Sequence, residues 1–192
     1  MNKSVITIFI LFLNLISYGQ FSIEKPINWY DNSSNNELYE NIIRIIRNEK
    51  KSNDLINDIE LKKGVIIKAF SKYDVNKSEG LSPSIIVALV KNEYHHNLTT
   101  LKKDSETNLI KELKKYTINA NLKYSKYITI DDKKGFLIHN TYNFPNYKEN
   151  IRSWVYFFFL SDDYFVQISF SDLDSDICKN LFIEVLKTIK FN

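Results

Sequence analysis

A single cysteine, Cys178, is the only thiol in this chain of 192 residues. A lone cysteine excludes an intrachain disulfide, a CxxC redox motif and a cysteine-based metal site. Glycine and proline are also scarce, at four and three residues. So few chain breakers argue against disorder and favour a sheet-rich domain with long strands. The stability of the protein must therefore come from its core.

An excess of charge of one sign is also absent. The chain has 26 basic and 23 acidic residues, which gives a formal net charge of +3 at pH 7. Lysines are dense at 102–134, where a solvated helix face explains them better than a nucleic-acid site does. This balance predicts no nucleic-acid partner.

No hydrophobic run is long enough to cross a bilayer. The longest, at residues 5–16 (VITIFILFLNLI), follows the positive Lys3 and precedes the small residues Ser17 and Gly19. This is the pattern of a secretory signal peptide, which is too short to be a transmembrane helix. The sequence predicts a signal peptide at 1–19, cleavage near Gly19, and one domain at 21–192 without a stable membrane span. The mature chain is expected in the periplasm or outside the cell.

Aromatic residues are what the chain does have, at 14% of the sequence. They are densest at 152–171 (RSWVYFFFLSDDYFVQISFS), where two apolar runs flank Asp162 and Asp163. That pattern predicts a β-hairpin turning on the two aspartates. The expected register places Phe159 opposite Val166 and Trp154 opposite Ser171. Both faces of the first strand are apolar, so both are expected to be covered by helices.

The rest of the chain supplies further strands and helices. Strands are predicted at 64–70 and 84–91, and a second hairpin at 122–130 and 136–144 with its turn at 131–135. Apolar residues with helical spacing predict helices at 36–49, 55–61, 97–117 and 174–190. The expected fold is an α+β class αβα sandwich, an antiparallel sheet of about six or seven strands with helices on both faces.

The order of these elements is familiar. An opening F-x-I-x-x-P-x-x-W is formed by Phe21, Ile23, Pro26 and Trp29, and a later strand starts at Pro83. A helix, four strands and a C-terminal helix follow. The chain resembles the PsbP-like superfamily of αβα sandwiches, which includes an extrinsic photosystem subunit, a Ran-binding nuclear import factor and exported bacterial proteins. The resemblance implies a non-enzymatic accessory or binding role, and it has no catalytic motif to transfer.

Candidate metal ligands are few. They are His95, His96, Asp131, Asp132 and His139. Adjacent residues on a strand point to opposite faces, so the two neighbouring histidines need a loop to bind one ion. The sequence favours polar strand ends and sheet residues instead, and it predicts no metal or cofactor.

Candidate catalytic residues are equally weak. They are the paired carboxylates Asp162 and Asp163, the acidic run Asp172, Asp174 and Asp176, and Cys178. The pair is predicted to form a turn, and the acidic run, which lacks the glycine and glutamate of a calcium loop, is predicted to cap the last helix. Cys178 falls on the buried side of that helix, and no G-x-S-x-G motif is present. No catalytic residue is predicted.

Aromatic side chains give the one candidate binding surface. Trp154 and Tyr156 lie on one face of the central hairpin, with Tyr142 and Tyr147 nearby in sequence. These residues either belong to the core or line a groove for a small apolar ligand or a partner protein. The sequence predicts an exported, non-catalytic accessory or binding protein. A hydrolase or metal-dependent enzyme of unrecognised type and a structural envelope protein are the alternatives.

Overall fold

The computed structural model of the protein describes residues 21–33, 65–75, 77, 81–145 and 147–191. The signal peptide predicted at 1–19 and the helices predicted at 36–49 and 55–61 lie outside these ranges. The described residues have a mixed α+β structure with one large antiparallel sheet.

Nine strands and two helices make up the described ranges. In chain order they are β1 (Phe21–Ser22), β2 (Tyr30–Asp31), β3 (Val65–Ser71), β4 (Ser84–Lys91), α1 (Leu98–Tyr116), β5 (Ile118–Ile130), β6 (Lys133–Asn143), β7 (Ile151–Phe159), β8 (Tyr164–Leu173), α2 (Lys179–Lys187) and β9 (Lys190–Phe191). Strand β4 has its predicted bounds, because its apolar run starts directly after Pro83 and ends in polar residues.

Seven of these strands form one sheet in the order β2-β3-β4-β8-β7-β6-β5. Every neighbouring pair in it is antiparallel. The predicted antiparallel sheet of six or seven strands is confirmed. Strands β1 and β9 pair with each other in a separate two-stranded sheet.

The β7–β8 hairpin is present, but its predicted register was wrong by one residue. Phe159 pairs with Phe165, not Val166, and Trp154 pairs with Phe170, not Ser171. The backbone N–H groups of Leu160 and Ser161 both donate to the carbonyl of Tyr164, at 3.0 and 3.1 Å. Two residues thus oppose one in a β-bulge beside the turn. Because side chains alternate between faces, this one-residue shift exchanges the faces of β8 relative to β7.

The β5–β6 hairpin has a tighter turn than the five residues predicted. Asp131 and Asp132 alone connect the strands, and their φ angles of 48° and 59° fit a two-residue hairpin turn. Gly135 therefore lies inside β6 rather than at the end of the turn. A Cβ atom on Gly135 would lie 2.3 Å from the carbonyl oxygen of Phe157, so the close approach of β7 requires glycine there.

Helix α1 forms where it was predicted. The side chain of Asn97 accepts hydrogen bonds from the N–H groups of Thr99 and Thr100, both at 3.0 Å. Such an N-cap satisfies donors that the first turn leaves unpaired. At the other end, the N–H of Thr117 donates to the carbonyl of Leu113 before the chain turns into β5.

Helix α2 is shorter than the helix predicted at 174–190. The N–H of Asp176 donates to the carbonyl of Leu173, and the Asp172 carboxylate accepts from the N–H of Cys178 at 2.8 Å. These bonds hold the preceding residues in a turn, so the helix begins only at Lys179. The predicted capping role for the acidic run was wrong, because Cys178 is the N-cap residue and makes no side-chain capping bond.

Alternate residues of β7 belong to two different core clusters. The larger includes residues of both β7 and α2, namely Trp154, Tyr156, Phe158, Phe182 and Val185. The second includes Val155 and Phe157 of β7 and Leu101 of α1. Since consecutive side chains on a strand point to opposite faces, β7 is apolar on both, as the sequence predicts.

Candidate functional site

A pocket of about 250 Å³ lies between α1 and the sheet. Its apolar lining residues include Leu81, Ile86, Leu109, Leu113, Val155 and Leu173. Its polar lining residues include Ser84, Asn140, Ser153, Gln167, Ser169 and Ser171. At about 30 Å³ per water molecule, this volume holds roughly eight waters, so it suits a small organic molecule.

Four of the polar residues form one row across the sheet, which we call the polar row: Ser84, Ser171, Ser153 and Asn140. Ser84 of β4 pairs with Ser171 of β8, which pairs with Ser153 of β7, which pairs with Asn140 of β6. Directly opposite residues share one face, with Cβ atoms about 4.5–5.5 Å apart. Short polar side chains thus lie side by side along the sheet wall of the pocket.

Asn140 is the residue in this row whose polar atoms are unsatisfied. It is 1% exposed, and neither its Oδ1 nor its Nδ2 atom has a hydrogen-bond partner among the described residues. A carboxamide can donate two hydrogen bonds and accept two. An unsatisfied buried polar group costs about 1–3 kcal/mol, and native proteins contain few of them. Asn140 thus holds an unused donor and acceptor in the pocket wall, which a ligand reaches when the side chain turns toward the pocket.

Tyr142 lines the pocket two residues further along β6. Burial raises the pKa of Tyr142 to about 12, although a hydrogen bond with Ser171 acts in the opposite direction. The phenol is therefore neutral at physiological pH. Its hydroxyl adds to the hydrogen-bonding groups at this end of the polar row.

The one carboxylate among the lining residues is already paired. Asp172 accepts a 2.8 Å hydrogen bond from Nε of Arg152 at one oxygen and from the N–H of Cys178 at the other. The side chain of Asp172 is fully buried in this arrangement. Of the lining residues that the structure describes, none is lysine, arginine or histidine. The pocket therefore offers neutral hydrogen bonds and apolar contacts without a free charge.

The hydroxyl groups in the pocket wall belong to serines. A serine nucleophile requires a general base within hydrogen-bond reach, usually histidine. The described lining residues around Ser153 and Ser171 include no histidine, lysine or cysteine. This part of the pocket can orient a neutral molecule.

The four aromatic residues predicted for a binding surface are divided between two places. Trp154 and Tyr156 are only 7% and 9% exposed and pack in the cluster that contains α2. Tyr142 lines the pocket. Tyr147 packs against Phe144, with ring centroids 6.2 Å apart, in a small cluster that also contains Tyr142. A ligand surface formed by all four residues together stays a prediction.

His139 belongs to an aromatic stack beside Trp154. The two rings are parallel, with centroids 4.7 Å apart, and the exposed Tyr124 covers the other side of His139 at 5.1 Å. Burial lowers the pKa of His139, although a hydrogen bond to the carbonyl of Ser153 acts against this. His139 is thus a packed sheet residue, as the sequence indicates.

The other candidate metal ligands lie apart. Nδ1 of His95 is 3.7 Å from a carboxylate oxygen of Asp163, and Nε2 of His96 is 3.3 Å from one of Asp104. Asp131 accepts a hydrogen bond from the N–H of Phe191. Among the described residues, no three histidine, cysteine or carboxylate side chains are grouped as a metal site would require.

Cys178 and the acidic run have structural contacts. Burial raises the pKa of the Cys178 thiol to about 11, which makes it a poor nucleophile. Asp174 pairs with Asn150, and Asp176 binds the side chains of Lys72 and Tyr73. All three carboxylates thus have partners within the protein, and Asp172 and Asp174 share Arg152.

The chain aligns over most of its length with solved structures at low sequence identity. The solution structure of cyanobacterial PsbP (CyanoP) from Synechocystis has a TM-score of 0.55 at 12% identity, covering 92% of this chain and 89% of that chain. The chain shares the fold of this PsbP structure. At this identity, the likeness shows the PsbP-like fold alone.

Two further structures align with most of the chain. LpqN of Mycobacterium tuberculosis, described as involved in cell envelope biogenesis, has a TM-score of 0.51 at 10% identity, over 88% of this chain and 83% of its own. The Ran-binding protein Mog1p of Saccharomyces cerevisiae has a TM-score of 0.48 at 12% identity, over 91% of each chain. No family model and no curated protein matches the sequence. Neither described helix is long and apolar enough to cross a membrane.

The polar row was not predicted from the sequence. Ser153, Ser169 and Ser171 interrupt otherwise apolar strands at every second position, which was the available signal. The predicted register placed Ser171 beside Trp154, whereas it lies beside Ser153. Only the observed pairing brings these serines and Asn140 to one face.

Proposed function

We propose that this PsbP-like chain is a non-catalytic binding protein that holds a small ligand in the pocket between α1 and the sheet. The observation that carries this proposal is Asn140, a buried carboxamide without a partner among the described residues, in the wall of that pocket. Unmet polar groups in native cores are rare, and we take a bound ligand in the adjoining pocket as the source of the missing bonds. The apolar residues of α1 opposite the polar row would contact the rest of the ligand.

Our proposal places the predicted aromatic residues in different roles. Tyr142 is a member of the binding site, and Tyr147 supports it through Phe144. Trp154 and Tyr156 are core residues that hold β7 in place. We also propose that α1 and α2 cover opposite faces of the sheet. Their separate core clusters support this arrangement.

The enzyme and structural alternatives have less support. A hydrolase needs an activated nucleophile, and a metal-dependent enzyme needs a ligand cluster. The described residues show neither at the pocket. A purely structural envelope protein would gain stability from an apolar residue at position 140, so the unpaired amide argues against that role.

We propose that the protein is exported. The support is the pattern of Lys3, the apolar run at 5–16 and the small residues before residue 20. N-terminal sequencing of protein from the cell envelope or medium should then start at Gln20 or Phe21. Recovery of only the full-length chain from the cytoplasm would refute export.

The binding proposal is tested by a fragment screen on the mature domain, read by the amide chemical shifts of a ¹H–¹⁵N spectrum. Small neutral fragments should shift the resonances of Ser153, Ser169 and Ser171. The variant Ser169→Leu fills the pocket and should abolish these shifts. Ser161→Leu makes the same change in an exposed loop and should preserve them. Fragments that shift only resonances elsewhere, or that bind Ser169→Leu unchanged, would refute the site.

A further inference from the structure

The two unpaired polar atoms of the Asn140 side chain restrict the chemistry of the ligand, in addition to the limit that the pocket volume sets on its size. Nδ2 is a donor and Oδ1 an acceptor, and they lie side by side on one planar amide. Both lack partners among the described residues, and both are buried in the pocket wall, so the amide must turn toward the pocket when a ligand binds. A ligand that satisfies only one of them leaves the other desolvated and unpaired, which weakens binding. Full satisfaction needs an acceptor and a donor with the same spacing, the pairing that asparagine makes with the edge of a planar base.

The charges at the pocket restrict the ligand further. The carboxylate of Asp172 is held by Arg152 and the Cys178 N–H, so it has no free charge for a cation. An anion would find no lysine, arginine or histidine in the described part of the lining. Burying an unpaired ion is far more costly than burying a neutral polar group. The ligand group that enters the pocket must therefore be uncharged.

The apolar lining residues indicate the nature of the rest of the ligand, which we call its body. Leu109 and Leu113 of α1 and Ile86 of β4 present apolar side chains to the same space as the polar row. A cavity of about 250 Å³ has room for a small ring or short branched chain beside one polar group. The hydroxyls of Ser153 and Ser171 can each donate or accept, so they adapt to substituents on that body.

We infer that the pocket recognises an uncharged amide edge, a primary carboxamide or a lactam on a small apolar body, through paired hydrogen bonds to the side chain of Asn140. This inference rests on the proposed function, since it specifies the ligand of the same pocket. Asn140 is the specificity residue, and the leucines of α1 provide apolar contact that depends little on the head group.

A matched series of probes tests the inference on the mature wild-type domain. Cyclohexanecarboxamide and ε-caprolactam carry the donor–acceptor edge. Acetylcyclohexane and N,N-dimethylcyclohexanecarboxamide keep the acceptor and lack the donor, while cyclohexanecarboxylate and cyclohexylmethylammonium are charged. Dissociation constants are measured from chemical shifts, including those of the Asn140 side-chain NH₂ group. The carboxamide should bind about tenfold more tightly than its dimethyl analogue, the equivalent of one lost hydrogen bond. The charged probes should bind more weakly still.

The variant Asn140→Leu should remove this preference, so that the carboxamide and dimethylamide bind within about twofold of each other. If the variant does not fold, the wild-type probe series alone still decides. Equal affinity for the carboxamide and the dimethylamide, or tighter binding of a charged probe, would overturn the inference. If the same probes still shift the resonances of Ser153 and Ser171, the proposed function of the pocket as a binding site stands. If neither these probes nor any fragment of the earlier screen shifts a resonance of the pocket, the proposed function is overturned as well.

Discussion

Replacement of Asn140 by leucine should stabilise the protein. Burying the carboxamide of Asn140 without partners costs about 1–3 kcal/mol. Leucine is similar in size and carries no polar atom, and the adjoining pocket leaves space for its different shape. We expect the free energy of unfolding to rise by about 1–3 kcal/mol. For a domain of this size, each kcal/mol corresponds to about 2–4 °C in melting temperature.

Asn92 provides the matched control. It is also buried, at 3% exposure, but its side chain makes three hydrogen bonds, two to backbone atoms of His96 and one to the carbonyl of Asp162. Asn92→Leu should therefore lower the free energy of unfolding by about 2–3 kcal/mol, since its partners in the loop lose their hydrogen bonds. Urea unfolding of both variants measures the midpoint at unchanged slope. A loss of stability in Asn140→Leu comparable to that of Asn92→Leu would show that Asn140 is satisfied, and the reasoning about the pocket would fail.

Four further outcomes follow from the packing. Gly135→Ala should lower the free energy of unfolding by about 1–3 kcal/mol in urea titrations, because its Cβ would overlap a backbone carbonyl of β7; a neutral result would contradict the observed approach. Trp154→Ala should cost about 3–5 kcal/mol by the same measurement, as for a core residue, whereas a small loss would favour a surface role. Cys178 should react with a thiol reagent only after denaturation, since burial raises its pKa to about 11, and rapid labelling of the folded protein would refute this. Tyr142 and Tyr156 should ionise near pH 12 in absorbance titrations, because burial raises both pKa values. The stability that their neutral side chains contribute is complete below pH 10 and is lost as the pH rises through 12.

The sheet could be predicted because its strands are marked by residue type. The apolar run after Pro83 and the alternating residues of the two hairpins specify strands by period alone. The register of β7 with β8 could not be predicted in this way. It depends on a bulge at Leu160 and Ser161, which is a matter of backbone hydrogen bonding and leaves no mark in the hydrophobic pattern.

The candidate site depended on that same register. With the predicted pairing, the serines of β8 would share a face with Trp154, and the polar row would not form. The observed pairing places Ser171 between Ser84 and Ser153. The burial of Asn140 could not be predicted from the sequence either, because a polar residue in a strand is expected to face solvent unless its neighbours are known. Of the four aromatic residues predicted for a binding surface, Tyr142 is among the described residues that line the pocket.

The pairing of β1 with β9 has a consequence for the order of folding. Glu24 bonds to Thr188 across 164 positions of the chain, and the rings of Phe21 and Phe191 are in contact at 5.5 Å. Closing so long a loop is entropically costly, and the two-residue strands recover little of that cost. The β1–β9 pair should therefore form last, after the large sheet has assembled, and should separate first during unfolding. A chain that emerges from synthesis or transport in sequence could thus complete its sheet hairpins before its two ends meet.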